Sequence, residues 1–218
     1  MKKYDFPGIE DIVETDDHPM FREGLRRILA RCPDFNVADE ASNGQEVFEK
    51  VWNNEYDMVL LDIAMPGTPG LEVLKRLKSE KPKLPVLVLS MYPEEQYAVR
   101  VIKAGASGYL TKESASEELI TAIRRISGGR KYITSSIAER LADDVEPTAE
   151  KPLHDTLSDR ELEVYRMIAA GKTTTQIAEE LFLSAKTIST YRSRILEKMK
   201  IKTNAELIQY AIKHNMFD

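Results

Sequence analysis

Five times between residues 9 and 127, a short apolar run gives way to a longer stretch with apolar residues at helical spacing. No other feature of the chain limits its possible folds as strongly. The runs Ile9–Thr15, Asn36–Ala41, Met58–Leu61, Val86–Ser90 and Gly108–Thr111 have the length of strands. Between them lie Phe21, Leu25, Ile28 and Leu29, then Val47 and Val51, then Leu71, Leu74 and Leu77, then Ala98, Val101 and Ile102. A fifth set, Leu119, Ala122, Ile123 and Ile126, follows the last strand. Such spacing gives each helix one apolar face to lay against a sheet. "DMVLLD" and "PVLVLS" are continuously apolar rather than alternating, as parallel strands covered on both faces must be. The pattern predicts an α/β doubly wound, five-stranded parallel sheet.

The texture changes after the fifth unit. "GGRKYITSSIAERLADD" predicts one more short helix, and "DDVEPTAEKPLHDT", with two prolines and few apolar residues, predicts an interdomain linker. From Leu157 the pattern is purely helical, with about four helices and short connections. The expected division is therefore 1–128, a short helix and linker over 129–154, and a C-terminal all-α four-helix domain over 155–218.

Functional groups in a doubly wound sheet gather beyond the carboxyl ends of its strands. Strand one leads into Asp16 and Asp17, strand three into Asp62, strand four into Ser90, and strand five into Lys112. A lone aspartate after an apolar run is ordinarily just a solvated strand end. Three carboxylates converging at one edge repel one another, and burial adds to the cost. A hard divalent cation with oxygen ligands resolves that conflict, and Mg2+ (or Mn2+) is the expected cofactor. Asp62 is then placed to attack phosphorus as a nucleophile, with a hydroxyl and an ammonium available for the phosphoryl oxygens. His18 is expected to be a loop residue beside the site rather than a ligand, because Mg2+ favours oxygen.

"TDDHPMFREGLRRIL", "VLLDIAMPGTPGLEVL", "VLVLSMYPE" and "AGASGYLTK" occur in register and resemble the receiver domain of bacterial two-component response regulators over residues 9 to 127. The resemblance implies a flavodoxin-like sheet with Asp62 as phosphoacceptor. It implies Mg2+ held by Asp16, Asp17, Asp62 and the backbone carbonyl of Ala64, and a phosphoryl group held by Ser90 and Lys112. Tyr109 falls on the family's aromatic switch position.

In the C-terminal part, Ser158 and Glu161 form a Ser-x-x-Glu capping box opening a helix to about Ala169, which Gly171 ends. Thr174 or Thr173 caps a short helix holding Ile177, Ala178 and Leu181, and Ser184 caps the next, reaching about Met199. Two helices joined so tightly predict helix-turn-helix. Ile188, Tyr191, Ile195 and Met199 fall within about 80° of one another and face inward. Lys186, Ser189, Thr190, Ser193 and Glu197 lie opposite, with Arg192 and Arg194 on the flanks. Small hydroxyls edged by cations suit a helix in the major groove, where hydroxyls reach bases and cations reach phosphates. Lys172 and Thr174 add to this from the start of the preceding helix. "LSDRELEV", "GKTTTQIAEELFLSAKTI" and "RILEKM" resemble the LuxR/NarL-type helix-turn-helix over residues 155 to 214. Lys172, Thr174, Lys186, Thr187, Ser189, Thr190, Arg192, Ser193 and Arg194 are the expected DNA contacts. Ser189 and Tyr191 depart from that pattern, which more often has lysine and histidine there.

The two resemblances together imply a cytoplasmic NarL/FixJ-type transcription factor rather than an enzyme, one whose receiver promotes only its own phosphotransfer and dephosphorylation. The implied partners are a sensor histidine kinase, double-stranded promoter DNA at paired half-sites, and a second copy of the chain upon phosphorylation. The net charge of -5 does not oppose DNA binding. From Leu153 onward 10 cations face 9 acids, so the acidity belongs to the first part. No apolar stretch approaches the roughly 20 residues of a membrane span. The N-terminus lacks the apolar core of a secretory signal, and the one cysteine, Cys32, fits a reducing compartment. His154 and His214 are expected at the surface. A phosphohydrolase using Asp62 would need a substrate pocket that the short βα loops leave little room for. A constitutive regulator would bind DNA equally with and without a phosphodonor.

Strand one carries a contradiction. Glu14 and Thr15 stand where the receiver pattern has aliphatic residues. Thr15 needs only a local hydrogen bond, but a buried unpaired carboxylate costs several kcal/mol or takes up a proton. The expectation is a frayed or shifted strand, or a cationic or hydroxyl partner for Glu14.

Overall fold

The computed structural model describes residues 11–65, 67–143, 152–214 and 216. The chain divides into two compact units, 1–145 and 146–218.

The first unit holds a five-stranded parallel sheet of β1 (Asp11–Thr15), β2 (Asn36–Ala41), β3 (Met58–Asp62), β4 (Val86–Ser90) and β5 (Gly108–Thr111), in the order β2-β1-β3-β4-β5. The strands alternate with α1 (Pro19–Leu29), α2 (Gly44–Asn53), α3 (Gly70–Glu80), α4 (Glu94–Lys103) and α5 (Ala115–Ser127). The sequence forms these elements for the reason the apolar pattern gives: both faces of the sheet must be covered. Every residue of β3 and β4 is buried. On one face Ile12, Met58, Leu60, Leu87, Leu89 and Leu110 pack with Leu25 and Leu29 of α1 and Leu119, Ile123 and Ile126 of α5. The alternate residues, Val13, Val59, Leu61 and Val88, are equally buried on the other face. Ile9 and Glu10, expected to begin strand one, lie outside the described residues.

Of the expected alternatives, β1 is shifted against β2 rather than frayed, and Glu14 has no hydrogen-bonded partner. The strand pairs regularly with β3 through Thr15, and its one irregularity is a register shift against β2 between Ile12 and Val13. Glu14 is fully buried, and neither carboxyl oxygen makes a hydrogen bond. Burial first, and Asp16 second, push its pKa up to about 8, against the weaker opposing pull of Arg26 and Arg22. The strand accommodates Glu14 by keeping it protonated. Thr15 behaves as expected, donating its hydroxyl to the carbonyl of Leu60 at 2.9 Å.

The predicted extra helix is α6 (Ser135–Asp143), and it belongs to the first unit. It packs on α4, with Ile137 fully buried. Thr134, just before it, donates to Glu94 at the start of α4 at 2.7 Å, and the Tyr132 amide donates to the Ser107 carbonyl at 2.8 Å. Most of the expected linker lies outside the described residues. Its last four, Leu153–Thr156, form a 3-10 turn.

The second unit contains α7 (Asp159–Ala169), α8 (Thr174–Glu180), α9 (Ala185–Lys198) and α10 (Asn204–Lys213). Four side-chain caps set its boundaries. Ser158 and Glu161 form the expected capping box, Thr173 rather than Thr174 forms another with Gln176, and Ser184 and Thr203 cap α9 and α10. Gly171 ends α7 with φ 83°, while Phe182 and Lys200 adopt the same left-handed backbone without being glycine. Ser158→Ala is expected to cost about 1 kcal/mol, read as a lower urea midpoint with unchanged slope; an unchanged midpoint would refute it. His154 is not a plain surface residue: its ring lies 3.2 Å from the Tyr210 hydroxyl and edge-on to His214, which stacks on Tyr210.

Candidate functional site: a carboxylate cluster and a helix-turn-helix

The carboxyl edge of the sheet brings together the residues picked out by strand ends. Asp62 closes β3, fully buried. One of its oxygens accepts the Ala64 amide at 2.9 Å, and the other accepts Lys112 Nζ at 2.8 Å. Lys112 also lies 2.6 Å from Asp16 Oδ2, so one ammonium bridges two strands. Asp16 is buried, and Asp17 is about one-third exposed beside it. Asp16, Asp17, His18 and Asp62 each offer a ligand atom, all within 4.8 Å of one another, the one such cluster found among the described residues. His18 Nδ1 sits 2.6 Å from Asp17 Oδ1, with its ring largely in solvent.

The electrostatics follow from crowding. Burial pushes the Asp62 carboxyl above the usual carboxylate range, Lys112 opposes this, and Asp16 reinforces it. Burial works against the Lys112 charge, yet Asp62 and Asp16 outweigh it and hold the ammonium above its ordinary pKa. Among the described residues, Asp16 Oδ2 and Asp17 Oδ1 are buried oxygens without a hydrogen bond, reached by the charge contacts to Lys112 and His18. Three carboxylates facing one ammonium leave negative charge unneutralised. An all-oxygen set of this kind fits a hard divalent cation.

Ser90 ends β4, fully buried, and its backbone carbonyl accepts the Lys112 amide at 2.7 Å. Its hydroxyl accepts the Tyr92 amide at 3.0 Å. Tyr109, fully buried on β5, donates its hydroxyl to the Tyr92 carbonyl at 2.6 Å.

Two contributors were not visible as site residues in the sequence. Gly70 opens α3 against the end of β3, where a Cβ would stand 2.5 Å from the Ile63 Cα and 2.8 Å from the Asp62 carbonyl. Only glycine lets α3 start so close to Asp62. Arg22 of α1 reaches back to the Asp16 carbonyl at 2.7 Å. Its position six residues after Asp16, in the first turns of α1, was the available signal.

In the second unit, α9 turns Ile188, Ile195 and Met199 fully inward, with Tyr191 half-buried beside them. Lys186, Ser189, Thr190, Ser193 and Arg194 are exposed. Ser189, Thr190 and Ser193 each donate their hydroxyl to the carbonyl four residues earlier, at 2.9 to 3.1 Å. Their outward lone pairs therefore present acceptors, matching the amino groups of adenine and cytosine in a major groove. Arg192 is held to Asn204 at 2.7 Å, Thr187 to the Ser184 cap, and Lys172 to Glu180. Thr174 is the first residue of α8.

A sheet edge that gathers carboxylates around a buried aspartate, in a chain with a separate helix-turn-helix, is the arrangement of a response regulator with a DNA-binding domain. Family models agree: the response regulator receiver domain matches residues 12–124, and the luxR family of bacterial regulatory proteins matches residues 155–211. The chain belongs to the response regulators that join a receiver to a LuxR-type DNA-binding domain. It is 36% identical to the response regulator UvrY of Escherichia coli over 207 residues, covering 94% of this chain and 95% of that one. It is also 36% identical to the response regulator GacA of Pseudomonas aeruginosa, covering 95% and 97%. RcsB of Salmonella enterica serovar Typhimurium, solved bound to a promoter with the phosphomimetic BeF3-, superposes with TM-score 0.66 at 25% identity, covering 93% and 98%. No helix among the described residues is long and apolar enough to cross a membrane.

Proposed function

We propose that this chain is a cytoplasmic transcription factor, not a turnover enzyme, whose DNA binding and dimerisation are controlled by phosphorylation of Asp62 by a sensor histidine kinase. The observation that carries this reading is the buried Asp62 carboxylate, converged on by Asp16, Asp17 and Lys112. Residues 1–128 form the receiver, 129–154 a short helix and linker, and 155–218 the DNA-binding domain.

Asp16, Asp17 and Asp62, with the Ala64 carbonyl, hold Mg2+ or Mn2+. The cation supplies neutralisation of the negative charge on the transferring phosphoryl oxygens. An Asp62 carboxylate oxygen forms the new bond to phosphorus as the phosphorus–nitrogen bond to the kinase histidine breaks, the electron pair leaving with the imidazole nitrogen. Lys112 exchanges its contact with Asp62 for a phosphoryl oxygen, and the Ser90 hydroxyl donates to another. Tyr109 follows, because its hydroxyl and that of Ser90 both hold Tyr92. The changed receiver face favours a dimer, and paired α9 helices read two half-sites. Lys172, Lys186, Arg192 and Arg194 serve phosphates, while Thr174, Thr187, Ser189, Thr190 and Ser193 serve phosphates or base edges.

Treatment with a small-molecule phosphodonor and Mg2+ is expected to tighten promoter DNA binding at least tenfold and to place one base-labile phosphoryl group on each chain. Asp62→Ala should abolish both responses without unfolding the protein. Equal DNA affinity before and after treatment would support a constitutive regulator, and steady phosphate-ester turnover would support a hydrolase.

A further inference from the structure

Asp16 and Asp17 are adjacent in sequence but very differently held. The Asp16 amide donates to the Ala41 carbonyl at 3.1 Å, one side-chain oxygen accepts the His18 amide at 2.8 Å, and the other faces Lys112. Its carbonyl, which belongs to the peptide joining the two acids, accepts Arg22 Nη1 at 2.7 Å. The same guanidinium donates from Nε to Glu40 at 2.9 Å, and Glu40 immediately precedes Ala41 at the end of β2. Arg26 pairs with Glu40 as well. A closed circuit results, from the Asp16 carbonyl through Arg22 and Glu40 to Ala41 and back to the Asp16 amide.

That circuit acts on Asp17. Turning the Asp16–Asp17 peptide would swing the Cα of Asp17, and with it the more exposed of the two acids. The side-chain contact found for Asp17 is to His18, its own neighbour, whose ring is mostly in solvent. A neighbour that moves with the same loop does not fix it. The Arg22 side chain is mostly buried and bonded at two separate nitrogens, which a guanidinium fork can do and a single ammonium cannot do in the same directions.

We propose that Arg22 is a positioning residue that sets the receiver's affinity for its divalent cation by locking the Asp16–Asp17 peptide to Glu40. It touches neither the phosphoryl group nor the cation, and acts through the acid pair. The inference rests on the cation reading above and goes beyond it by naming what pre-forms the site. Partners behind metal ligands typically affect affinity 10- to 100-fold.

The test is calorimetric titration of the full-length protein with MgCl2, paired with melting temperatures in EDTA. Arg22→Lys keeps the charge and removes the fork; it is expected to weaken Mg2+ binding about tenfold while leaving the metal-free melting temperature nearly unchanged. Glu40→Gln releases the far end of the circuit and should weaken binding in the same direction, which keeps the test decisive if Arg22→Lys folds poorly. Wild-type affinity in both variants would overturn the positioning role, as would a loss of metal-free stability with no change in affinity. A wild-type protein that takes up no Mg2+ would instead overturn the cation reading, and the positioning role with it.

Discussion

Glu14→Leu is expected to raise the melting temperature at neutral pH, and to raise it further at pH 9. The wild-type carboxyl is fully buried without a hydrogen bond, and burial pushes its native pKa up to about 8 from an ordinary 4.5. Between those two values the unfolded chain gives up this proton while the native chain keeps it. The unfolded state then binds fewer protons, so stability falls as pH rises through that window and levels off above about pH 8. The total involved is on the order of 5 kcal/mol. Leucine is of similar size, sits at the position paired with Leu60 of β3 and carries nothing to ionise. Glu14→Gln separates the two contributions. It should flatten the pH dependence without recovering the full stability, because a buried amide still lacks partners. Urea denaturation in EDTA from pH 5 to 9 provides the measurement. An Glu14→Leu curve parallel to the wild type would show that this carboxyl does not titrate with folding.

Lys112→Met carries the second large effect. Its ammonium lies 2.6 Å from Asp16 and 2.8 Å from Asp62, with the side chain only 5% exposed. Removing one partner from a buried ionic group costs on the order of 3–5 kcal/mol, because the charge left behind has lost its compensation. Here two carboxylates are left, and the variant in EDTA is expected to melt well below the wild type. Millimolar Mg2+ should restore much of the loss, since a cation that binds only the native acids stabilises by mass action. The melting temperature of the variant should therefore depend more steeply on Mg2+ than that of the wild type. Equal stability of the two proteins in EDTA would sink this account of the site.

The fold was largely legible because its information is local. Continuous apolar runs gave β3 and β4 nearly residue by residue, and the same runs pointed to Asp62 and Ser90 at their ends. Ser158, Ser184 and the amphipathic α9 were legible for the same reason: a cap and its helix lie within four residues of each other. Arg22 and Glu40 were not, since their bond spans 18 residues and depends on the rotational phase of α1 above the end of β2. The docking of α6 through Thr134 and Glu94, 40 residues apart, was equally hidden. Glu14 was legible as a conflict but not in its resolution. Composition shows that a carboxyl sits in a strand, whereas the proton it keeps depends on which neighbours surround it.

Tyr92 gives the receiver a mechanical property that follows from two bonds already described. Ser90 holds its amide and Tyr109 holds its carbonyl, so the two side chains are linked in series through a single residue. Tension applied at one end of such a linkage is transmitted undiminished to the other, whereas two parallel ties would share it. Drawing the Ser90 hydroxyl away changes the hold on the Tyr92 amide, while the Tyr109 hydroxyl still holds its carbonyl. The ring stacked on Tyr92, that of Tyr97 in α4, is carried on the same linkage. Helix α4 thus has one mechanical path to the Ser90 hydroxyl through Tyr92, alongside the other contacts these residues make.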